Sequence, residues 1–311
     1  MKLSIIVPMY NSEDYIVSCI MSYIRQSSTD VELIIIDDGS TDEGYSLVLS
    51  VFEKEINSGL IIIQKQENLG VSIARNNGIN ISRGKFITFL DSDDILLDGY
   101  INNIINAIDK YEPDIIEFGF KQFEDENFLF GLDSVFVHGN FGVNSLRSIQ
   151  NDIYCRSMWY PWCRVFKSEL LKETNEFFPP GVKFCEDMMA ISRLYMNDKI
   201  IYSINKALYG YRINQQGATI NIKESYYCDL LKYYYEINKI DGKVKDYILI
   251  NLSYLLYRCS LGRSLPIDVN LNFKFLFIKY LFVGNITYRK KIILLSPVLY
   301  DFLRAIKGVN K

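Results

Sequence analysis

The chain has 311 residues, with 34 Lys+Arg against 37 Asp+Glu for a net charge of −3, and is 49% hydrophobic. That allows one large α/β domain with an appendage, or two domains, and excludes a disordered chain. Charge is unevenly spread: residues 1–221 carry 19 basic and 30 acidic side chains (−11) and residues 222–311 carry 15 and 7 (+8), so nucleic acid is not the expected ligand of the acidic part.

The first element is a β-rich run from Leu3 to Val7 stopped by Pro8, followed by a turn with Ser12 as a helix cap. Tyr15, Ile16, Cys19, Ile20 and Tyr23 have helical spacing to about Gln26. Val31 to Ile36 reads as a second strand, Leu47, Val48, Val51 and Phe52 as a second helix, and Leu60 to Ile63 as a third strand. A helix from Val71 to about Ser82 and a strand from Phe86 to Leu90 complete an alternation that predicts a parallel sheet with helices on both faces. Tyr100, Ile101, Ile104, Ile105 and Ile108 form a helix face, and Asp114 to Phe118 reads as a strand. Residues 120–140 read as a hairpin or variable loop, and Val143 to Ile153 as a helix. Trp159 to Lys167 is strand-like, with Pro161 placing it at an edge or bend. Pro179-Pro180-Gly181 marks a turn, Phe184 to Met196 a helix, and Lys199 to Arg212 two short strands. From Asn221 onward the pattern is helical, and no internal repeat is evident.

Six cysteines without regular spacing read as free thiols in a reducing compartment. The single histidine, His138, leaves no multi-histidine metal site. The N-terminus runs straight into a strand, so no signal peptide is expected and the protein is read as cytoplasmic, soluble or peripheral on the inner membrane face. The longest charge-free apolar stretch of the tail, Tyr247 to Tyr257, has 11 residues, short of the roughly 18–20 a membrane span needs. The basic, aromatic tail fits a membrane surface, an acceptor or dimer contact, or a solvated basic face.

Acidic turns at strand ends carry the chemistry. Asp91-Ser92-Asp93-Asp94 follows the apolar run Phe86 to Leu90. Asp91 and Asp93 can leave the backbone on one side, where their like charges repel unless a divalent cation resolves the conflict. Hard carboxylate oxygens suit Mg²⁺ or Mn²⁺; the alternative is an acidic helix-capping turn. Asp37-Asp38-Gly39-Ser40 repeats the pattern, as an acceptor for a ribose hydroxyl or base N–H, or as a helix cap. Arg75, in the turn and helix that begin at Asn68, is a base or phosphate contact or an exposed helix cation. Glu186-Asp187 opens a helix, so either is a candidate general base or a favourable helix-terminus charge. Neither a G-x-G-x-x-G loop nor a P-loop follows the first strand.

Together these residues resemble family 2 glycosyltransferases over about residues 1–220. The matching pieces are Ser4 to Asn11 with Glu13; Asp37 to Asp42; Asn68, Gly70, Ser72, Ala74-Arg75-Asn76 and Gly78; Gly84-Lys85; Asp91 to Asp94; Trp162 to Lys167; Glu186-Asp187; and Tyr209 to Arg212. The resemblance implies a GT-A fold over 1–220, a Rossmann-like, mostly parallel α/β sheet, with a mainly α-helical region over 221–311. It implies that Asp38 contacts the uracil of a UDP-sugar, with Pro8 and Tyr10 shaping the base pocket. Gly70, Arg75, Asp91 and Ser92 would line the nucleotide-sugar site. Asp93 would hold Mn²⁺ or Mg²⁺, with Asp91 on the ribose or in the metal shell, Arg212 would approach the diphosphate or the mobile loop over it, and Asp187 would be the catalytic base. The implied reaction moves a hexose or N-acetylhexosamine to a saccharide acceptor, lipid-linked in surface-polysaccharide synthesis, with inversion. Two departures stand out: Arg164 replaces the family's usual lysine, and Asn214 to Thr219 carries no histidine to complete a metal shell, with Thr219 the candidate for a family hydroxyl residue. The competing readings are a catalytically silent nucleotide-sugar-binding subunit and a nucleotidyltransferase, the latter opposed by Pro8-Met9-Tyr10-Asn11 after the first strand.

Overall fold

The computed structural model describes residues 1–124, 133–213, 224–240, 242–260, 264–282 and 286–306. The chain falls into two compact units: residues 1–149, 159–181 and 186–215 form one, and residues 150–158, 182–185 and 216–311 the other.

The sheet belongs to the first unit. β1 (Leu3–Met9) and β2 (Val31–Asp37) are buried at every position, as strands paired on both edges and covered on both faces must be. β1 runs parallel to β2, with Leu3 opposite Val31 and Met9 opposite Asp37. On its other edge β1 runs parallel to β4 (Phe86–Phe89). β3 (Ile61–Lys65) extends the parallel set beyond β2. β6 (Ile115–Phe123) pairs in parallel with the long β10 (Ile200–Arg212). Between the two parallel sets lies β9 (Arg164–Lys167), antiparallel to both β4 and β6. The strands β5 (Ile95–Leu96), β7 (Ser134–Val135) and β8 (Gly142–Ser145) are short additions, β5 and β8 to β10 and β7 to β6.

Pro8 is tolerated in a central strand for a geometric reason. The Leu90 amide donates to the Ile6 carbonyl at 2.9 Å, so Ile6 faces β4. Pro8, two residues on, faces the same way, where β4 has already ended. Its missing N–H therefore breaks no ladder bond.

The helices of this unit are α1 (Ile16–Ile24), α2 (Gly44–Val51), α3 (Glu53–Asn57), α4 (Val71–Ile81), α5 (Tyr100–Tyr111), α6 (Leu146–Arg156, entering the second unit at residue 150), α7 (Ser168–Lys172) and α8 (Glu186–Leu194). α4 lies so close to β1 that a Cβ at Gly78 would stand 2.4 Å from the Ile6 Cγ2 atom. Among the described residues, the second unit holds α9 (Glu224–Ile237), α10 (Lys243–Cys259), α11 (Ile267–Tyr280), α12 (Tyr288–Leu295) and α13 (Pro297–Ile306). Leu230, Tyr233, Leu252, Leu256, Phe273 and Leu276 lie in its interior. Asp246 of α10 accepts from Lys279 at 2.6 Å and from the Tyr280 hydroxyl at 2.8 Å, tying α11 to α10. No described helix is long and apolar enough to cross a membrane.

Several elements differ from the sequence expectation. The Ser12 side chain caps nothing: its buried hydroxyl has no hydrogen-bond partner among the described residues, and its carbonyl accepts from Tyr15 and Ile16 instead. Pro161 sits in a single 3-10 turn, Pro161–Cys163, so the strand begins only at Arg164. That strand is interior, not an edge, because the proline stops short of the ladder. In place of two short strands, Ile200–Arg212 forms one strand whose pairing with β6 shifts register between Ser203 and Tyr209. Residues 142–145 extend the sheet, and the helix begins only at Leu146. The segments Asp125 to Leu132 and Asn214 to Thr219, with Thr219 itself, lie outside the described residues.

Candidate active site

The parallel strands β1, β2 and β4 end at one edge of the sheet, and their tips carry the acidic turns. At the β1 tip Pro8 is buried and Tyr10 is exposed. Asn11 has φ +46°, a left-handed conformation asparagine tolerates better than most residues. Its amide donates to the Ser40 hydroxyl at 3.0 Å, and its Oδ1 accepts from the Thr41 amide at 2.9 Å. The turns after β1 and β2 are thus laced together.

Asp38 is buried, and both its oxygens are engaged. Oδ1 accepts from Gln66 Nε2 and the Leu69 amide, each at 2.8 Å, and Oδ2 accepts from the Gly70 amide at 2.9 Å. The residue organises the loop that leads into α4, and any contact with a base would be added to these three bonds. Gly70, at φ +96°, makes that entry without the strain a side chain would bring.

α4 then delivers Arg75. The structure places this residue beneath the carboxylates, its side chain only 5% exposed. Nη1 donates to Asp187 Oδ1 at 2.7 Å and to Glu186 Oε1 at 3.4 Å, and Nη2 donates to Asp91 Oδ1 at 3.3 Å. The ring of Phe178 lies 5.2 Å from the guanidinium carbon. One buried cation therefore joins the acidic turn after β4 to the start of α8, two segments almost a hundred residues apart. Burial opposes its charge, but Asp187, Asp91 and Glu186 outweigh burial and hold the proton more firmly than usual. Asn76 positions the adjoining segment: its amide donates to the Phe178 carbonyl at 2.8 Å and its Oδ1 accepts from the Phe178 amide at 2.9 Å.

Asp187 keeps 24% of its side chain exposed. Burial, aided by the Glu186 and Asp91 carboxylates, pushes its carboxyl up to about 8 against the pull of Arg75. A carboxyl that titrates near neutrality is suited to receiving a proton.

The acidic turn itself is fixed by Asp94 and β10. Asp94 is buried, accepting from the Tyr209 hydroxyl at 2.6 Å and the Arg212 amide at 2.7 Å. Burial, then the neighbouring Asp91 and Asp93 carboxylates, raise its carboxyl well above the usual range. Tyr209 also accepts from the Asp91 amide at 3.1 Å. Arg212 Nε donates to the Asp93 carbonyl at 2.7 Å, with the guanidinium 5.0 Å from the Tyr15 ring and 4.6 Å from the Phe123 ring. Asp91, Ser92 and Asp93 are each partly exposed. Among the described residues, no group of three or more His, Cys, Asp or Glu side chains forms a ready-made metal cage.

Aromatic rings wall one side. Tyr160, exposed, stacks on Trp162 at 4.8 Å, and Trp162 stacks on Tyr209 at 4.6 Å and Tyr211 at 5.4 Å. Arg164 holds this wall from inside β9. Its Nη1 donates to the Tyr160 carbonyl at 2.8 Å, and its Nε donates to Glu117 at 3.0 Å and to the Tyr195 hydroxyl at 2.8 Å. His138 Nε2 lies 2.7 Å from Glu117 Oε2. Burial would raise the Glu117 carboxyl, but Arg164, His138 and Tyr195 outweigh it and hold it down.

Sequence reasoning singled out Asp38, Arg75, Asp91, Asp93, Asp187 and Arg212. The structure brings Arg75, Asp91 and Asp187 into direct contact, and sets Arg212 on Asp93. Tyr10 and Asp38 lie at the neighbouring tips. Phe178 and Tyr160 carry no signal of their own in the sequence: each merely precedes a proline, Pro179 and Pro161. Only their three-dimensional neighbours reveal them.

A family model described as "Glycosyl transferase family 2" matches residues 4–174. Among curated proteins, "Glycosyltransferase GlyA" of Streptococcus pneumoniae is 30% identical over 69% of this chain and 31% of its own length. "Poly(ribitol-phosphate) beta-N-acetylglucosaminyltransferase TarS" of Staphylococcus aureus is 28% identical over 70% of this chain and 36% of its own length. The chain thus matches about a third of the length of each. The crystal structure of TarS 1–349 in complex with UDP-GlcNAc superposes with a TM-score of 0.68 at 21% identity, covering 99% of this chain and 92% of that one. The mannosyltransferase PcManGT from Pyrobaculum calidifontis, in complex with GDP-Man and Mn²⁺, gives 0.55 at 14% identity, covering 99% and 88%. Both likenesses establish the GT-A fold.

Proposed function

The chain belongs to glycosyl transferase family 2, and on that premise we propose that it moves a hexose or N-acetylhexosamine from a UDP-sugar to a saccharide acceptor, lipid-linked and destined for a surface polysaccharide, with inversion. The observation that carries this reading is the Arg75 bridge, which holds Asp91 and Asp187 on either side of one buried cation. A donor lying across the strand tips would have its diphosphate toward Asp91, Asp93 and Arg212 and its sugar toward Asp187. The UDP-GlcNAc complex of TarS supports uracil as the base.

Asp187 takes the proton from an acceptor hydroxyl as that oxygen attacks the anomeric carbon. The bond from that carbon to the diphosphate oxygen breaks on the opposite face, so one displacement inverts the centre. Arg75 keeps Asp187 oriented, and Arg212 offers positive charge where the leaving diphosphate gains negative charge. Tyr160, stacked and exposed beside this space, offers a flat face to an acceptor ring.

The residues fit a divalent cation of the substrate-assisted kind. Asp91 and Asp93 offer two partly exposed carboxylates, and Mg²⁺ and its analogues are usually held by one or two carboxylates plus substrate phosphates, without an all-protein cage. They would hold Mn²⁺ or Mg²⁺, which supplies Lewis-acid stabilisation of the leaving group.

The test is a donor screen by released UDP, with acceptor, with and without EDTA. Turnover with one UDP-sugar that stops on chelation supports the reading. UDP binding with no turnover on any donor and acceptor pair would favour a silent binding subunit.

A further inference from the structure

α11 is apolar on two opposite sides. Val269, Phe273, Leu276 and Tyr280 face the interior of the helical unit and are buried. At roughly 100° per residue, Ile267, Leu271, Phe275 and Ile278 fall within about 80° of one another on the far side. They are 80%, 60%, 60% and 70% exposed, and Phe282, just past the helix, is 94% exposed. A water-facing helix surface is normally polar, and a contiguous apolar stripe marks a face that something covers.

The borders of the stripe say what covers it. Lys274 falls on one flank and Lys279 on the other; both are exposed, although Lys279 also pairs with Asp246 at 2.6 Å. Asp268 shares the Lys279 side. Arg289 is exposed beyond the helix, beside Tyr288, itself 77% exposed. Residues 222–311 as a whole carry 15 basic and 7 acidic side chains. An apolar stripe edged by lysines is the composition of a helix lying in a bilayer interface. With 14 residues, α11 is about 21 Å long by its rise per residue, too short to span the hydrocarbon core.

We propose that the Ile267, Leu271, Phe275, Ile278 and Phe282 face of α11 docks the protein on an anionic membrane surface. The side chains enter the acyl boundary while Lys274, Lys279 and Arg289 meet lipid phosphates. A second copy is the competing occupant, and self-association is therefore measured beside vesicle binding. The arrangement would hold the protein where a lipid-linked acceptor is presented, but it stands apart from the transfer chemistry.

The experiment is co-sedimentation of the full chain with phosphatidylcholine vesicles, with and without phosphatidylglycerol, for wild type, the Phe275→Ser/Ile278→Ser double variant and Lys274→Gln. Both serines replace solvent-facing side chains, and a thermal melt confirms that the variant folds. The expected result is binding to phosphatidylglycerol vesicles that falls about tenfold or more in the double variant. Lys274→Gln should weaken binding less and reduce the preference for anionic lipid. UDP release with a soluble acceptor should stay at the wild-type rate in both, so this outcome is read separately from that of the donor screen. Absence of binding, binding unaffected by the double variant, or a dimer in analytical ultracentrifugation that the double variant dissolves without any vesicle binding would each overturn the proposal.

Discussion

Replacing Arg75 with methionine removes the cation on which three carboxylates converge and keeps most of the volume. Asp187, Asp91 and Glu186 lie 2.7, 3.3 and 3.4 Å from the guanidinium. Breaking a buried ion pair from one side costs about 3–5 kcal/mol. Here the carboxylates keep 24%, 29% and 15% of their side chains exposed, so water recovers part of that. A loss of about 2–4 kcal/mol is expected, hence a fall in melting temperature of roughly 5–15 °C for a unit of this size. The second effect is on protonation. Arg75 is the group that draws the Asp187 carboxyl down against burial, so without it the rise to about 8 becomes larger. Each further pH unit leaves about tenfold less ionised base at neutral pH. UDP release measured from pH 6 to 10 should therefore show its rising limb displaced to higher pH, and Arg75→Lys should lie between wild type and Arg75→Met. If Arg75→Met melts with wild type and keeps the same limb, the cation is not what organises this site.

Asp187→Asn should cost about 10²–10⁴ in turnover, the usual range for a general base, while UDP still raises the melting temperature. The same variant tests the pH dependence of stability. Between the ordinary carboxyl value of 3.8 and about 8, folded Asp187 holds a proton that the unfolded chain has released. Its stabilising contribution is complete at low pH and lost as pH rises through 8, so the wild-type melting temperature should decline across that window more steeply than the variant's. Arg164 is fully buried, and Arg164→Met should destabilise by about 3–5 kcal/mol in urea titration by leaving buried Glu117 with only His138 and Tyr195 as partners. Arg164→Lys should cost less but lose the bond to the Tyr160 carbonyl, raising the acceptor KM more than the donor KM. Tyr209→Phe strands the buried Asp94 oxygen and the Asp91 amide, for about 1–3 kcal/mol by chemical denaturation, with weaker UDP binding as the acidic turn loosens.

The parallel half of the sheet was legible because its strands are paired on both edges, and such strands read as unbroken apolar runs. β1, β2 and β4 lie within a residue or two of where their composition puts them. Trp159 to Lys167 reads as an edge or bend because of Pro161; the bend exists, at Pro161–Cys163, while the strand that follows it from the charged Arg164 is interior. The proline proves to lie before the ladder. The charge is tolerated because Glu117, 47 residues earlier, and Tyr195, 31 residues later, meet it. No local pattern encodes such a partnership. Asp91, Asp93 and Asp187 were recognisable as candidate site residues by type and setting. That Arg75 would sit among them was not, since its partners are 16, 111 and 112 residues away. The exposed stripe of α11 escaped for the opposite reason: a helix apolar on two sides reads as simply hydrophobic, and only its packing tells the covered side from the open one.

The position of β9 has a consequence for biogenesis. Four residues from the middle of the chain separate and satisfy two strands made before them, β4 and β6. Until residues 164–167 arrive, both present open backbone edges, flanked by Phe86, Phe89, Ile115 and Phe118, in a form that another nascent chain could join. A fragment ending before residue 164 should therefore precipitate or occupy chaperones, not persist as a smaller nucleotide-binding unit.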